Sequence, residues 1–175
     1  MPGELRTVHE QLVTLAADVH ALSHQLHSTI LDDLGLVDAL RAECAAVMQR
    51  EGIAVSFMAV DVPTALPREV MLCFYRILQE GLRMLHDIAQ AKRVDVVLRR
   101  TMTRLELTLQ DTGVGFAPEQ RRGKGGIGLV SMAERVRLIQ GTFALISQLG
   151  YGTTVRVQWP MTGGDNEPGP CVVSR

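Results

Sequence analysis

The sequence predicts an α+β fold, a two-layer sandwich in which helices cover one face of a mixed, mostly antiparallel sheet, preceded by a long N-terminal helix. Two pairs of segments alternate apolar and polar residues as half-buried hairpin strands do: Val94 to Arg100 with Leu105 to Gln110, and Phe143 to Ser147 with Thr153 to Trp159. The first thirty residues follow another rhythm. Leu5, Val8, Leu12, Leu15, Val19, Leu22, Leu26 and Ile30 stand three or four apart, the spacing of a helix with one narrow apolar stripe. The 175 residues are 46% apolar and 21% charged, which suffices for one buried core and is unlike a disordered chain.

The N-terminal stripe needs a helical partner, so a homodimer through this helix is expected. Ser28, Thr29 and Gly35 interrupt the pattern, and Leu36, Leu40, Cys44 and Val47 then resume an amphipathic helix that stops near Gly52. Two helical pieces joined by a bend follow from this. Ile53, Val55 and Phe57 next alternate with Ala54, Ser56 and Met58, the pattern of a strand. Asp61 to Leu66 reads as a loop, and Pro67-Arg68-Glu69 opens a helix running to about Ala89, proline being tolerated in the first turn. The polar Thr101 to Arg104 turns the first hairpin and Gly150-Tyr151-Gly152 the second. Between the hairpins lies a glycine-rich loop from Asp111 to Gly128, then a helix from about Leu129 to Ile139 that Gly141 ends. The expected organisation is a dimerisation-type helical segment over 1–50, a globular domain over 51–160 and a flexible tail over 161–175.

Composition removes several classes of function. A net charge of -1, no basic stripe and 4% aromatic residues argue against a nucleic-acid partner. No apolar run approaches the roughly 18 residues of a membrane span, and the first residues lack the layout of a signal peptide. A cytoplasmic location is expected, alone or as the cytoplasmic part of a longer membrane-bound sensor. Cys44, Cys73 and Cys171 are far apart and lack zinc-site spacing, so they read as reduced thiols, and no resident metal site is expected.

Chemistry concentrates in Asp111-Thr-Gly-Val-Gly-Phe116 at a strand end and Gly123-Lys-Gly-Gly-Ile-Gly-Leu129 at a helix start. Glycines let the backbone approach a ligand closely, and amides at a helix N-terminus favour phosphate. A carboxylate at the strand end can accept a hydrogen bond from an exocyclic amine such as that of adenine.

These segments resemble the glycine boxes of the catalytic ATP-binding domain of two-component sensor histidine kinases, in the group that also holds gyrase, the Hsp90 chaperones and MutL. Asp111 to Phe116 is similar to the first box and Gly126-Ile-Gly-Leu129 to the second. Met132-Ala-Glu-Arg-Val136 resembles the helix that follows in the subfamily of nitrate and membrane-fluidity sensors, and Gly152-Thr-Thr-Val155 the closing strand. Tyr75-Arg-Ile-Leu-Gln-Glu80 resembles the opening of the helix that carries the family's asparagine box. Leu22-Ser-His-Gln-Leu-His27, Leu31-Asp-Asp-Leu-Gly-Leu36 and Ala39-Leu-Arg41 look like the second helix of the dimerisation hairpin and its link onward. The resemblance implies ATP or ADP as ligand and a cognate kinase or response regulator as partner. It gives Asp111 the adenine amine, makes Gly113 and Gly115 shape the pocket, and adds Gly126, Gly128 and Leu129 from the second box. Residues 117–125 would form the ATP lid, Thr154 would line the base, and Glu80 is the candidate catalytic residue.

The chain departs from the family where magnesium is held. Counting from Glu80, Met84 stands at the metal-binding asparagine, Asp87 at the basic residue and Ile88 at the histidine. A thioether is a soft ligand and magnesium demands hard oxygens, so impaired magnesium-ATP catalysis is expected. The family's phosphoacceptor histidine sits on the first hairpin helix, whereas the residues here match the second. His27 is therefore not expected to accept phosphate, and His20, His24 and His27 read as polar residues on one side of a helix. The alternatives are an active kinase fragment that phosphorylates a histidine on a hairpin helix outside this chain, and an anti-sigma-type serine kinase or scaffold.

Overall fold

A computed structural model describes residues 30–116, 126–161 and 172–174. The seam from Leu5 to Leu26, His20, His24, His27, Cys171 and the expected lid 117–125 lie outside the described residues. Helix α1 covers residues 30–51, followed by β1 (Ala54–Val60), α2 (Arg68–Asp87), β2 (Arg93–Arg100), β3 (Arg104–Asp111), α3 (Gly126–Leu138), β4 (Thr142–Gln148), β5 (Gly152–Pro160) and β6 (Val172–Ser174). The strands form one sheet in the order β1-β2-β3-β5-β4-β6. β1 pairs with β2 and β4 with β6 in parallel, and the three central pairings are antiparallel.

Strand alternation decides which face is covered. Val94, Val96 and Leu98 on β2, Leu105, Leu107 and Leu109 on β3, Val155 and Val157 on β5, and Phe143 and Leu145 on β4 are all buried on one side. Against them packs α2, whose apolar stripe is wide because it is covered twice. Phe74, Ile77, Leu78, Leu82 and Leu85 are fully enclosed between the sheet and the neighbouring helices. Met132 and Val136 bring α3 onto the same core. Truncating one such leucine to alanine removes transfer free energy and leaves a cavity, at about 2–5 kcal/mol.

The bend expected in the N-terminal helix falls at Gly35, whose φ of 74° is left-handed within the helical run. Beyond it, Leu36, Ala39, Leu40, Cys44 and Val47 are buried in the same core as the sheet, so the described part of segment 1–50 packs as part of the globular unit. α1 and α2 run parallel: Arg68 bonds Asp32 at 3.1 Å and Gln79 bonds Glu43 at 3.2 Å, each across 36 residues. The Tyr75 hydroxyl also donates to Glu43 at 2.7 Å. Burial pushes the Cys44 and Cys73 thiols up to about 12, so both behave as small apolar side chains.

Two expectations need adjustment. Pro67 is the residue before α2 rather than inside it, with extended ψ of 138°. The tail is not uniformly free, since Val172 and Val173 add to the open edge of β4 by pairing with Ala144 and Leu145. The sheet's uncovered face also carries a buried charge, Glu106. Glu106 is bonded by Arg99 at 2.8 Å and by Gln158 at 2.6 Å, with Arg156 at 3.9 Å. Burial pushes its carboxyl up, but those hydrogen bonds and cations outweigh burial and hold it below the usual range.

Candidate functional site

β3 ends at Asp111 because the chain must turn there, and the turn is fixed from every side. The Gly113 amide donates to Asp111 Oδ1 at 2.5 Å. The Val114 amide donates to the Ala89 carbonyl at 3.0 Å, tying the loop to the chain just past α2. Gly150 donates to the Val114 carbonyl at 2.7 Å, and Phe116 to the Ser147 hydroxyl at 2.9 Å. Gly115 has φ of 61°, and a Cβ there would overlap the Gln148 carbonyl oxygen, so only glycine fits this crossing.

Within this frame Asp111 is 3% exposed. Burial, the largest influence, pushes its carboxyl above the usual range, with the Gly113 hydrogen bond and the nearby polar groups of Thr153 pulling the other way. The Thr153 hydroxyl is engaged with Ser147 at 2.8 Å, and Asp111 Oδ2 is left buried without a hydrogen-bond partner among the described residues. An orphaned acceptor of this kind costs stability unless a ligand donor completes it.

The second part of the site lies along α2. Glu80 sits against the first turn of α3, where a Cβ on Gly128 would overlap Glu80 Oε1. Arg83 holds Glu80 in a two-pronged ion pair, Nη2 to Oε1 at 2.6 Å and Nε to Oε2 at 3.2 Å, and reaches Asp87 at 3.7 Å. Met84, one turn from Glu80, is only 4% exposed and belongs to the hydrophobic core. Asp87 is half exposed and bonded to His86 at 3.1 Å, and Ile88 caps α2 while packing against the core. Among the described residues no three His, Cys, Asp or Glu side chains gather as a metal site.

The structure thus brings Asp111, Gly113 and Gly115 together at the strand end and sets Glu80 against Gly128 at the helix start. Gly126 opens α3 and Leu129 packs its side chain on the core. Thr154 requires correction. It pairs with Gln110 and shares the uncovered face of the sheet with Arg156, so strand alternation turns it away from Asp111. Thr153, 2% exposed, is the β5 threonine that lies beside Asp111. The pairing of Arg83 with Glu80 was also missed, although their spacing of three on a helix signals it.

Known proteins resemble this chain in sequence and fold. The family model described as "Histidine kinase-, DNA gyrase B-, and HSP90-like ATPase" matches residues 71–163. DegS of Brevibacillus brevis, a signal transduction histidine-protein kinase/phosphatase, is 28% identical over 159 residues, covering 91% of this chain and 41% of that protein. MctS, a sensor histidine kinase of Rhizobium johnstonii, is 33% identical over 145 residues, covering 82% and 31%. NreB, an oxygen sensor histidine kinase of Staphylococcus carnosus, is 33% identical over 148 residues, covering 85% and 43%. The chain therefore spans less than half the length of each of these relatives. The histidine kinase domain of a blue-light activated histidine kinase from Erythrobacter litoralis EL346 shares the fold, with TM-score 0.53 at 20% identity over 70% of this chain and 59% of that one. Among the described residues no helix is long and apolar enough to cross a membrane. With the family model covering more than half of its residues, the chain belongs to the histidine kinase-, DNA gyrase B- and HSP90-like ATPase family.

Proposed function

We propose that this chain is the nucleotide-binding module of a two-component signalling protein of the nitrate and membrane-fluidity sensor subfamily, with impaired magnesium-dependent phosphoryl transfer. The observation that carries nucleotide binding is Asp111, whose buried Oδ2 lacks a hydrogen-bond partner among the described residues beside the glycine loop. An adenine amine would supply the missing donor, the loop glycines would admit the ring, and the amides at the start of α3 would meet phosphate.

Impairment is supported on α2. Magnesium fits poorly there, because Met84 offers a buried thioether and the nearby Glu80 carboxylate is already engaged by Arg83. With both of its oxygens bonded to the Arg83 guanidinium, Glu80 is also poorly placed to reach a substrate proton. Phosphoryl transfer relies on positioning and charge neutralisation, and both are reduced. The remaining role is nucleotide-dependent scaffolding toward a second copy through the N-terminal helix, a cognate kinase or a response regulator. The names of its relatives favour a second reading, an active kinase half that phosphorylates a histidine on a separate hairpin. Incubation with γ-labelled ATP, magnesium and an added dimerisation hairpin decides between them. The proposal expects no label on the hairpin above background, and efficient transfer would replace it with the second reading.

A further inference from the structure

We infer that Arg83 is the phosphate ligand of this site: the guanidinium that clamps Glu80 turns to the phosphates of a bound nucleoside di- or triphosphate and supplies the positive charge there without a metal ion. The inference rests on the nucleotide reading above and adds the residue that meets the phosphates.

α2 and the residues just after it form a wall touching both parts of the site. At one end the Ala89 carbonyl accepts from Val114 in the loop that follows Asp111. At the other, about 13 Å away along a helical path, Glu80 lies against Gly128 in the first turn of α3. Arg83 stands between them, on the same side as Glu80 and Asp87, with its side chain 65% exposed. Between Glu80 and Ala89 the other basic residue is His86, which faces Glu51 of α1 and Asp87. Arg83 is therefore the cation this wall can offer. Its fork already makes two parallel bonds to a carboxylate, the geometry that also matches a phosphate. An exposed ion pair of this kind is weakly held and readily exchanged. Without Arg83, Glu80 and Asp87 would present phosphate with uncompensated negative charge.

Titration calorimetry of adenosine and of ADP in chelator tests the inference on the parent chain and on Arg83→Ala, Arg83→Lys and Glu80→Gln. The parent should bind ADP more tightly than adenosine. Arg83→Ala should lose ADP affinity by about tenfold or more while binding adenosine as before. Arg83→Lys should recover part of the loss, because it keeps the charge without the fork. Glu80→Gln should bind ADP more tightly, having lost the competing carboxylate. ADP binding by Arg83→Ala at the parent's affinity would overturn the inference alone, as would equal loss of adenosine and ADP, which marks a structural role. Failure of the parent to bind either ligand would overturn the nucleotide reading together with it.

Discussion

The two parts of the site are built on opposite principles. Around Asp111 the backbone is pinned by hydrogen bonds from Gly113, Val114, Phe116 and Gly150, the carboxylate is buried with Gly115, Phe116, Ser147 and Thr153, and one of its oxygens has no hydrogen-bond partner among the described residues. Around Arg83 the side chains are long and half exposed, and each charge has found a partner on its own helix. The first part is rigid and incomplete, so it gains by binding something. The second is soft and already satisfied, so a ligand there must displace an existing pair. The proposed base recognition suits the first design, and the proposed exchangeable contact with phosphate suits the second.

The glycines offer the sharpest way to break the comparison. Gly115→Ala should be the most damaging change, at about 3 kcal/mol or more, because it adds left-handed strain to an overlap with the Gln148 carbonyl, which cannot move aside. Chemical denaturation reads that loss directly. Asp111→Ala comes next and acts on binding: nucleotide affinity should fall by about ten- to a hundredfold through loss of a charge-assisted hydrogen bond, measured by calorimetry. Gly128→Ala should cost less than about 1 kcal/mol, since the new methyl meets only the tip of the Glu80 side chain, which can swing away from an exposed pair. Equal destabilisation at Gly115 and Gly128 would remove the distinction between rigid and soft halves.

Acid titration sharpens the same contrast through its sign. Asp111 has a raised carboxyl, so the folded chain holds its proton more firmly than the unfolded one, and ionised Asp111 costs stability at neutral pH. Asp111→Asn should melt no lower than the parent at neutral pH, and any advantage should vanish below the ordinary carboxylate range. Glu106 is lowered instead, so its contribution is complete above the ordinary carboxylate range and lost as pH falls through its folded value. Glu106→Gln should melt below the parent at neutral pH and converge with it in acid. Thermal melts across pH check both, and identical trends for the two variants would contradict these assignments.

Much of the fold was legible because strand alternation and helical spacing are written residue by residue. Val94 to Arg100 and Leu105 to Gln110 form a hairpin as expected, turned at Thr101 to Arg104. The bend at Gly35 and the tight loop at Gly115 were also readable, since both need what glycine allows. Other features depend on which groups meet. The same hairpin register places Arg99 opposite Glu106, so the buried charge could have been found by pairing the strands before judging each one's polarity. The motif Gly152-Thr-Thr-Val155 contains two threonines, and only alternation along β5 tells which of them faces Asp111. The β6 pairing follows from contact with β4 rather than from any local pattern in Val172-Val173-Ser174. Met84 was read by counting along α2, and its burial next to a Glu80–Arg83 pair is a tertiary fact that no count supplies.

The most direct test of the account is titration of ATP into the intact chain, once with magnesium and once with chelator. A base-recognising pocket whose phosphates are met by Arg83 predicts binding that is equal or tighter in chelator, because the Met84 thioether offers the metal no hard oxygen. Affinity that rises about tenfold or more with magnesium would show that an oxygen ligand replaces Met84, contradicting the account.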